Sequence, residues 1–403
     1  MELTFEDSTI LLDVGLPLDS NFGDDPSAKA PQPLFQQLEI GNKKVDGVVL
    51  SHAHLDHYGL AGILPDEIPI YCGEATAGLI SITVQVANNK IPPFATRAFH
   101  AHTTFRIGAF SVTPYLMDHS AFDSYGFLVC AGDKSVFYSG DFRGHGRKAG
   151  LLDRLLKSLP KADILLMEGT LLGERSNELT LTESELEEEF VKVIEKTKGV
   201  VLVTTSSQNI DRLVTIFRAA KRTQRMFIID FYTAEILERL KKYARIPQPS
   251  WSRIRVCYPQ FLAQRFEKAG LQDILNRHRK NGIKWTRIGE VEDRTVMMIR
   301  PGFLGNIKRF LALEQATWIY SMWPGYFERS RALRELKSYL QERKVRYEYL
   351  HTSGHAKPSD LTKLVETIKP SVLIPIHTFH ADEYKDHFSN VRLVNDGEVV
   401  TIG

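Results

Sequence analysis

The stretch Ser51-His52-Ala53-His54-Leu55-Asp56-His57-Tyr58-Gly59 places three imidazoles and one carboxylate within residues 52–57. It follows the apolar run Val48–Ser51, which reads as a strand. Neutral imidazole and carboxylate are ligands for zinc, and also for manganese or iron. On a loop after a strand, this spacing turns neighbouring side chains toward two different metal ions. The chain has only 13 histidines in 403 residues, so the cluster marks a metal loop rather than scattered surface histidines.

Two metals need more ligands than one loop supplies. His119, in Met117-Asp118-His119-Ser120, comes just after a strand-like run, Phe110–Tyr115. Asp141, in Ser139-Gly140-Asp141, follows another, Ser135–Ser139, and His377 ends a third, Ile374-Pro375-Ile376-His377. Functional groups at strand ends are usual in α/β sheets. Taken alone, each of these reads as structural, and Asp141 as a turn residue after Ser-Gly. Together with the loop they complete a set of seven: His52, His54, Asp56, His57, His119, Asp141 and His377.

Composition bounds the answer. Hydrophobic residues make up 43% and charged residues 25%, which is ordinary for a globular protein. At this length two domains are expected. The formal net charge of +2 does not announce a nucleic-acid partner, so any basic surface must be local. Cys72, Cys130 and Cys257 form no CxxC and read as buried apolar residues. The opening MELTFEDSTILLDVG lacks a positive n-region, and no apolar run reaches the ~18–20 residues of a membrane span. The expectation is a cytoplasmic protein with no membrane partner.

Along the chain, the first third reads as short strands: Thr9–Asp13, Val48–Ser51, Phe110–Tyr115, Tyr125–Cys130 and Ser135–Ser139. From about Thr180 strands and helices alternate. Thr182 and Glu185 predict a capping box opening an acidic helix. Strands at 200–204, 225–230, 253–258, 296–300 and 316–322 alternate with helices at 209–222, 233–243, 262–278, 304–313 and 329–343. Repeated βα units imply a parallel sheet covered by helices. A strand at 347–351, a helix at 359–368 and a strand at 371–377 follow, with two closing strands at 391–394 and 399–402. Gly144-His-Gly146-Arg-Lys-Ala149 matches a dinucleotide-binding fingerprint nominally, but it follows Asp141 directly and opens no fresh βαβ unit.

The order HxHxDH, His, SGD and a C-terminal His resembles the metallo-β-lactamase superfamily, over nearly the whole chain. The resemblance implies an α/β fold: a metallo-β-lactamase αββα sandwich with an inserted parallel α/β β-CASP domain. It implies two divalent metals, zinc first and manganese second. His52, His54 and His119 would hold one, Asp56, His57 and His377 the other, and Asp141 would bridge them. The 235 residues between Asp141 and His377 leave room for the insertion. The expected boundaries are 1–178 and 347–403 for the lactamase-type domain and 179–346 for the insertion.

Three further motifs resemble the β-CASP ribonucleases of the RNase J and cleavage-and-polyadenylation type. Glu168, in Leu165-Leu-Met-Glu168-Gly-Thr170, resembles their acidic motif A. His355, in Thr352-Ser353-Gly354-His355-Ala356, resembles motif B, and His377 resembles motif C in its RNA-processing form. The resemblance implies metal-dependent cleavage of single-stranded RNA. Asp56, His355 and Glu168 would be catalytic: Asp56 orienting the attacking hydroxide or taking its proton, His355 stabilising the phosphoryl oxygens or protonating the leaving group, Glu168 fixing His355. Ser353, Gly354, Ser206 and Ser207 are candidate phosphate contacts, as are Arg212, Arg218, Lys221, Arg222 and Arg225. Aromatics in 318–327 read as core before they read as base-stacking groups. Against the family pattern, a glycine-rich opening strand before ILLD and an extra C-terminal domain are not seen, which bears on an expected homodimer. A hydrolase of a small thioester, lactone or lactam, or an inactive nucleic-acid scaffold, are the rival readings.

Overall fold

The computed structural model describes residues 1–17, 20, 25–31, 44–86, 91–148, 150–173 and 180–402. The expected boundary at 178/179 and Ala149 of the glycine-rich match lie outside the described residues. The chain divides into two units, residues 1–180 with 354–403, and residues 181–353.

In the first unit, β1 (Glu2–Phe5), β2 (Ser8–Leu12), β3 (Gly47–Val49), β4 (Ile70–Gly73) and β5 (Arg97–Phe99) form one sheet in sequence order. After the β1–β2 hairpin its pairs are parallel. The second sheet contains β6 (Phe105–Ile107), β7 (Phe110–Met117), β8 (Ser124–Ala131), β9 (Lys134–Tyr138), β10 (Ile164–Glu168) and, from the C-terminal segment, β17 (Val372–Ile376). Its order is β17-β10-β9-β8-β7-β6 among the described residues.

The period-2 pattern explains the layering. Phe110, Val112, Phe127, Tyr138, Ile164 and Leu166 join Ile10, Leu12, Val49 and Phe99 in one apolar core between the sheets. The alternate residues Tyr115, Met117, Phe137, Leu165 and Met167 face the opposite way. There they pack on Leu152 and Leu155 of helix Leu151–Ser158 and on Leu361, Leu364 and Ile368 of helix Pro358–Ile368. Helix Glu74–Val86 packs on β4, across the first sheet. This is a helix–sheet–sheet–helix sandwich.

Strand direction then gathers the polar ends. β7 and β9 are both antiparallel to β8, and β9, β10 and β17 are mutually parallel. The residues that follow β7, β9, β10 and β17 therefore emerge at one end of the same sheet. His119, Asp141 and His377 follow three of these strands, and Glu168 ends the fourth.

The second unit holds a parallel sheet of β11 (Val201–Thr204), β12 (Met226–Asp230), β13 (Ile254–Cys257), β14 (Thr295–Met298), β15 (Thr317–Tyr320) and β16 (Arg346–Tyr349). The order is β13-β12-β14-β11-β15-β16. All five pairings are parallel, and the inner strands β11, β14 and β15 are buried throughout, as sheets covered on both faces require. Helix Glu183–Lys196 opens with the expected capping box: Thr182 Oγ1 accepts from Glu185 N (3.1 Å), and the Glu185 carboxylate accepts from Thr182 N (2.8 Å).

Four features differ from the sequence reading. The strand expected to open the C-terminal part of the lactamase-type domain, at 347–351, is β16, which pairs with β15 and extends the second unit to Ser353. The helix expected over 262–278 is two, Gln260–Lys268 and Gln272–His278, because Gly270 takes φ +71° and ends the first. The closing strands are not formed. Val391 makes only an isolated bridge to Leu373, and residues 399–402 have no strand pairing. Cys72 and Cys257 are buried as expected, whereas Cys130 is half-buried.

The proposed phosphate-contacting arginines are also committed elsewhere. Arg212 is fully buried and donates to both Glu183 oxygens (3.1 and 3.3 Å). Arg225 donates to the Gly199 and Thr197 carbonyls, while Arg218 and Arg222 pair with Glu187 and Glu188. Lys221 is exposed. Ser207 is buried, lying 2.6 Å from Thr233 Oγ1 and accepting from Arg300, and Ser206 Oγ accepts from Gln208 N (3.2 Å). Asn209 caps the next helix by accepting from Arg212 N (3.0 Å). The Thr205–Asn209 segment is thus a helix-capping loop with one serine in a buried network. Ser353, the last residue of this unit, is buried.

Candidate metal centre

All seven expected ligands lie in the first unit and converge. Ligand-capable atoms of His52, His54 and His119 lie within 4.8 Å of one another, and so do those of Asp56, His57 and His377. His52, His57 and Asp141 form a third such group, which links the other two through Asp141. Asp141 Oδ2 is 3.2 Å from His57 Nε2, 3.8 Å from His52 Nε2 and 4.0 Å from His119 Nε2. Its Oδ1 is 3.7 Å from His377 Nδ1. On the open side, Asp56 Oδ2 lies 3.2 Å from His377 Nε2.

The hydrogen bonds around the rings set their tautomers. Ser51 Oγ donates to Asp13 Oδ2 (2.6 Å) and so accepts from His52 Nδ1 (3.0 Å). His57 Nδ1 donates to Asp13 Oδ2 (2.7 Å), and His119 Nδ1 donates to the Gly354 carbonyl (2.6 Å). His377 Nδ1 donates to Thr170 Oγ1 (2.8 Å), whose own proton goes to the His377 carbonyl (3.1 Å). Four rings therefore turn Nε2 inward. His54 instead presents Nδ1, 3.1 Å from His52 Nε2 and 3.4 Å from His119 Nε2.

The electrostatics favour a cation. Burial, then the neighbouring imidazoles, holds His52 well below the ordinary histidine range, and burial does the same to His119. His54 is pushed down to about 4, chiefly by burial. These three rings are neutral donors of a lone pair. Burial also opposes charge on His57 and His377. There it is outweighed by Asp141 with Asp13 or Asp56, which hold His57 well above its usual value and His377 at about 9. Despite burial, neighbouring histidines keep Asp141 and Asp56 ionised below the usual carboxylate range.

A direct test of fit comes from unsatisfied atoms. Both oxygens of Asp141 and His57 Nε2 are buried with no hydrogen-bond partner among the described residues. A buried carboxylate so weakly hydrogen-bonded needs positive charge beside it, which the neighbouring imidazoles or a bound cation can supply. The residues present therefore fit divalent-metal binding.

Glu168 is fully buried beside this cluster. Its Oε1 accepts from Phe142 N (3.1 Å) and Ala356 N (3.2 Å); its Oε2 accepts from Thr170 N (3.2 Å) and His355 Nδ1 (3.2 Å). His355, with a side chain 21% exposed, lies 3.8 Å from Asp141. Gly354, expected as a phosphate contact through its backbone, gives its carbonyl to His119.

Sequence reasoning did not assign Asp13, Tyr138 or Thr170. Asp13 follows β2 with φ +57° and accepts from Ser51 N (2.7 Å), Ser51 Oγ, His57 Nδ1 and Tyr138 OH (2.5 Å). Its only sequence signal is a polar residue closing the apolar run Thr9–Asp13. The close approach also needs Gly15, where a Cβ would stand 1.6 Å from the Asp56 carbonyl oxygen.

Comparisons with known proteins agree with this geometry. Residues 19–206 match the family described as beta-lactamase superfamily domain, and residues 331–394 match a Zn-dependent metallo-hydrolase RNA specificity domain. Ribonuclease J 2 of Streptococcus pyogenes is 23% identical across 97% of this chain and 68% of its own length. A ribonuclease J of Helicobacter pylori is 21% identical across 98% of this chain and 57% of its own. The chain thus spans between 57% and 68% of these two relatives. A crystal structure of a protein of unknown function from Enterococcus faecalis shares the fold, with a TM-score of 0.73 and 19% identity over 98% of this chain and 95% of that one. Two family matches, the relatives and the histidine–aspartate cluster together place the chain in the metallo-β-lactamase superfamily of metal-dependent hydrolases, within its RNase J-like β-CASP group.

Proposed function

We propose that this chain is a metal-dependent ribonuclease that hydrolyses phosphodiesters of single-stranded RNA with two divalent cations, zinc first and manganese second. The observation that carries it is the buried Asp141 carboxylate at the meeting point of two histidine-rich groups. The RNA assignment is supported by the ribonuclease J relatives and by the RNA specificity family match at 331–394. These relatives do not favour the alternative of a small thioester, lactone or lactam substrate, and the complete donor set argues against an inactive scaffold.

His52, His54 and His119 would hold one cation, Asp56, His57 and His377 the other, with Asp141 between them. When bound, the pair supplies Lewis-acid stabilisation of the phosphoryl charge and acidifies water. The chain's own groups do the rest. Asp56, with its side chain 30% exposed, is the carboxylate open to the attacking water and takes its proton. In its protonated form His355 keeps Nδ1–H on Glu168 and offers Nε2–H to the phosphoryl or leaving 3′ oxygen. Glu168 is a positioning residue, since its oxygens are filled by backbone donors and His355.

Among the described residues, no helix is long and apolar enough to cross a membrane. We place the protein in the cytoplasm, a reading supported by its three unpaired cysteines, and expect a homodimer, which light scattering would reveal. The functional reading is tested by incubating end-labelled 5′-monophosphate RNA with the protein and Zn²⁺ or Mn²⁺. Cleavage that disappears in Asp141→Asn supports it. An intact RNA with either metal overturns it.

A further inference from the structure

The open edge of the second unit's sheet carries an aromatic surface that the metal chemistry does not use. Among the described residues β16 has one sheet neighbour, β15, and its residues are mostly exposed. Tyr347 and Tyr349, two residues apart, point to the same side of the strand and are 39% and 44% exposed. Tyr326, 43% exposed, stands edge-on to Trp323, with ring centroids 5.6 Å apart.

These rings are backed by a rigid base. Tyr347 meets buried Trp318 edge-on at 5.3 Å, and Tyr349 stacks on buried Tyr320 at 6.4 Å. Cations lie over the same group: Lys337 Nζ is 4.6 Å from the Phe327 ring and 5.5 Å from Tyr347, and the Arg329 guanidinium is 5.2 Å from Trp323. Lys337 has no ion pair among the described residues. Arg334 donates to the Phe327 and Glu328 carbonyls (2.6 and 2.7 Å) rather than to a carboxylate. Residues 323–349 carry seven Lys and Arg against four Glu in a chain of net charge +2 overall.

Exposed flat rings with cations alongside match the two features every single strand offers, base π-faces and phosphates. A second copy of this surface would bring like charge against like charge, so self-association along the edge is the poorer fit. We propose that Tyr326, Tyr347 and Tyr349, with Lys337 and Arg329, form a stacking platform that binds single-stranded RNA without sequence preference. This deepens the ribonuclease reading and rests on it for the choice of RNA. Tyr349 stands six positions before His355 in the sequence, so the platform's strand leads covalently into the catalytic segment.

The test uses the full chain and a fluorescein-labelled 20-mer of oligouridine, by anisotropy at fixed salt, with a cleavage assay in parallel. The double variant Tyr326→Ala/Tyr349→Ala should weaken binding about 10-fold or more, whereas Tyr326→Phe/Tyr349→Phe should stay within about twofold of wild type. Lys337→Gln should weaken binding and flatten its salt dependence by about 0.7 in log–log slope. Unchanged melting temperatures establish that the variants fold. Wild-type affinity in the double alanine variant overturns the platform, even if RNA is still cleaved. Conversely, loss of binding in that variant, when even the wild type cleaves nothing, upholds the platform and defeats the ribonuclease reading. A drop in molar mass with RNA affinity unchanged shows a protein–protein edge and also overturns the proposal.

Discussion

Asp13 and His57 are 44 residues apart in the chain, yet Asp13 Oδ2 lies 2.7 Å from His57 Nδ1. The same carboxylate receives Ser51, which in turn receives His52. One buried acid thus orients a ring in each of two ligand groups. Asp13→Ala should lower zinc affinity about 10- to 100-fold, the range for lost partners of metal-binding histidines. Competition titration with a chromogenic chelator would measure it, and an unchanged affinity would refute the positioning role.

His355 and the metal ligands should separate cleanly in mutation. His355→Ala should retain two metals per chain by elemental analysis while cleavage slows about 100- to 1,000-fold, the usual loss for one transition-state donor. Asp141→Asn should lose both metal and activity. A His355→Ala protein that loses metal would instead make His355 a ligand.

Glu168→Gln is a near-isosteric change with a large expected cost. Each Glu168 oxygen receives two N–H donors, and the glutamine amide nitrogen would face two of them. Two unsatisfied buried donors should destabilise the fold by about 2–4 kcal/mol. A urea midpoint equal to wild type would contradict this.

In the second unit, Glu235 is buried against His278 (3.1 Å), Arg277 (2.8 Å) and Arg239 (2.9 Å). Burial raises its pKa, but these partners outweigh burial and hold it below the ordinary glutamate value. A depressed folded pKa means the pair's stabilisation is complete above the unfolded value, ~4.3, and fades as pH falls through the folded one. Chemical denaturation from pH 7 down to pH 3 should show wild type losing stability more steeply than Glu235→Gln below about pH 4.3. Parallel curves would show that Glu235 does not titrate with unfolding.

Gly15→Ala should open the metal loop. The added Cβ would meet the Asp56 carbonyl at 1.6 Å, a contact only main-chain movement can relieve. Zinc content and chelator-sensitive thermal stability should both fall; a variant with full zinc occupancy would show that the loop yields at no cost.

The seven candidate ligands were legible because strand ends and loop spacing are local properties, read directly from HxHxDH, SGD and the two lone histidines. Asp13 was not, since a single acid after an apolar run looks like any strand terminus; only the fold brings it to His57. The partners of the basic run 212–225 were hidden for a related reason. The acids that pair with Arg212, Arg218 and Arg222, namely Glu183, Glu187 and Glu188, lie on a different helix, so spacing alone does not reveal them. The aromatics divided, with Trp318 and Tyr320 in the core and Tyr326 at the surface. A sheet's outer edge cannot be located before its strand order is known.

Ile164 of β10 pairs with Val372 of β17 across 208 residues of sequence. At ~5–20 residues per second, a ribosome needs about 10–40 s to travel from one to the other. During that interval the nascent sandwich lacks β17; His355 is made only near its end and His377 only after it. The metal pocket should therefore be completed after the intervening unit has been synthesised. Cation uptake should lag behind collapse of the intervening β-CASP-type unit, a delay that pulse-labelled translation with timed chelator addition would expose.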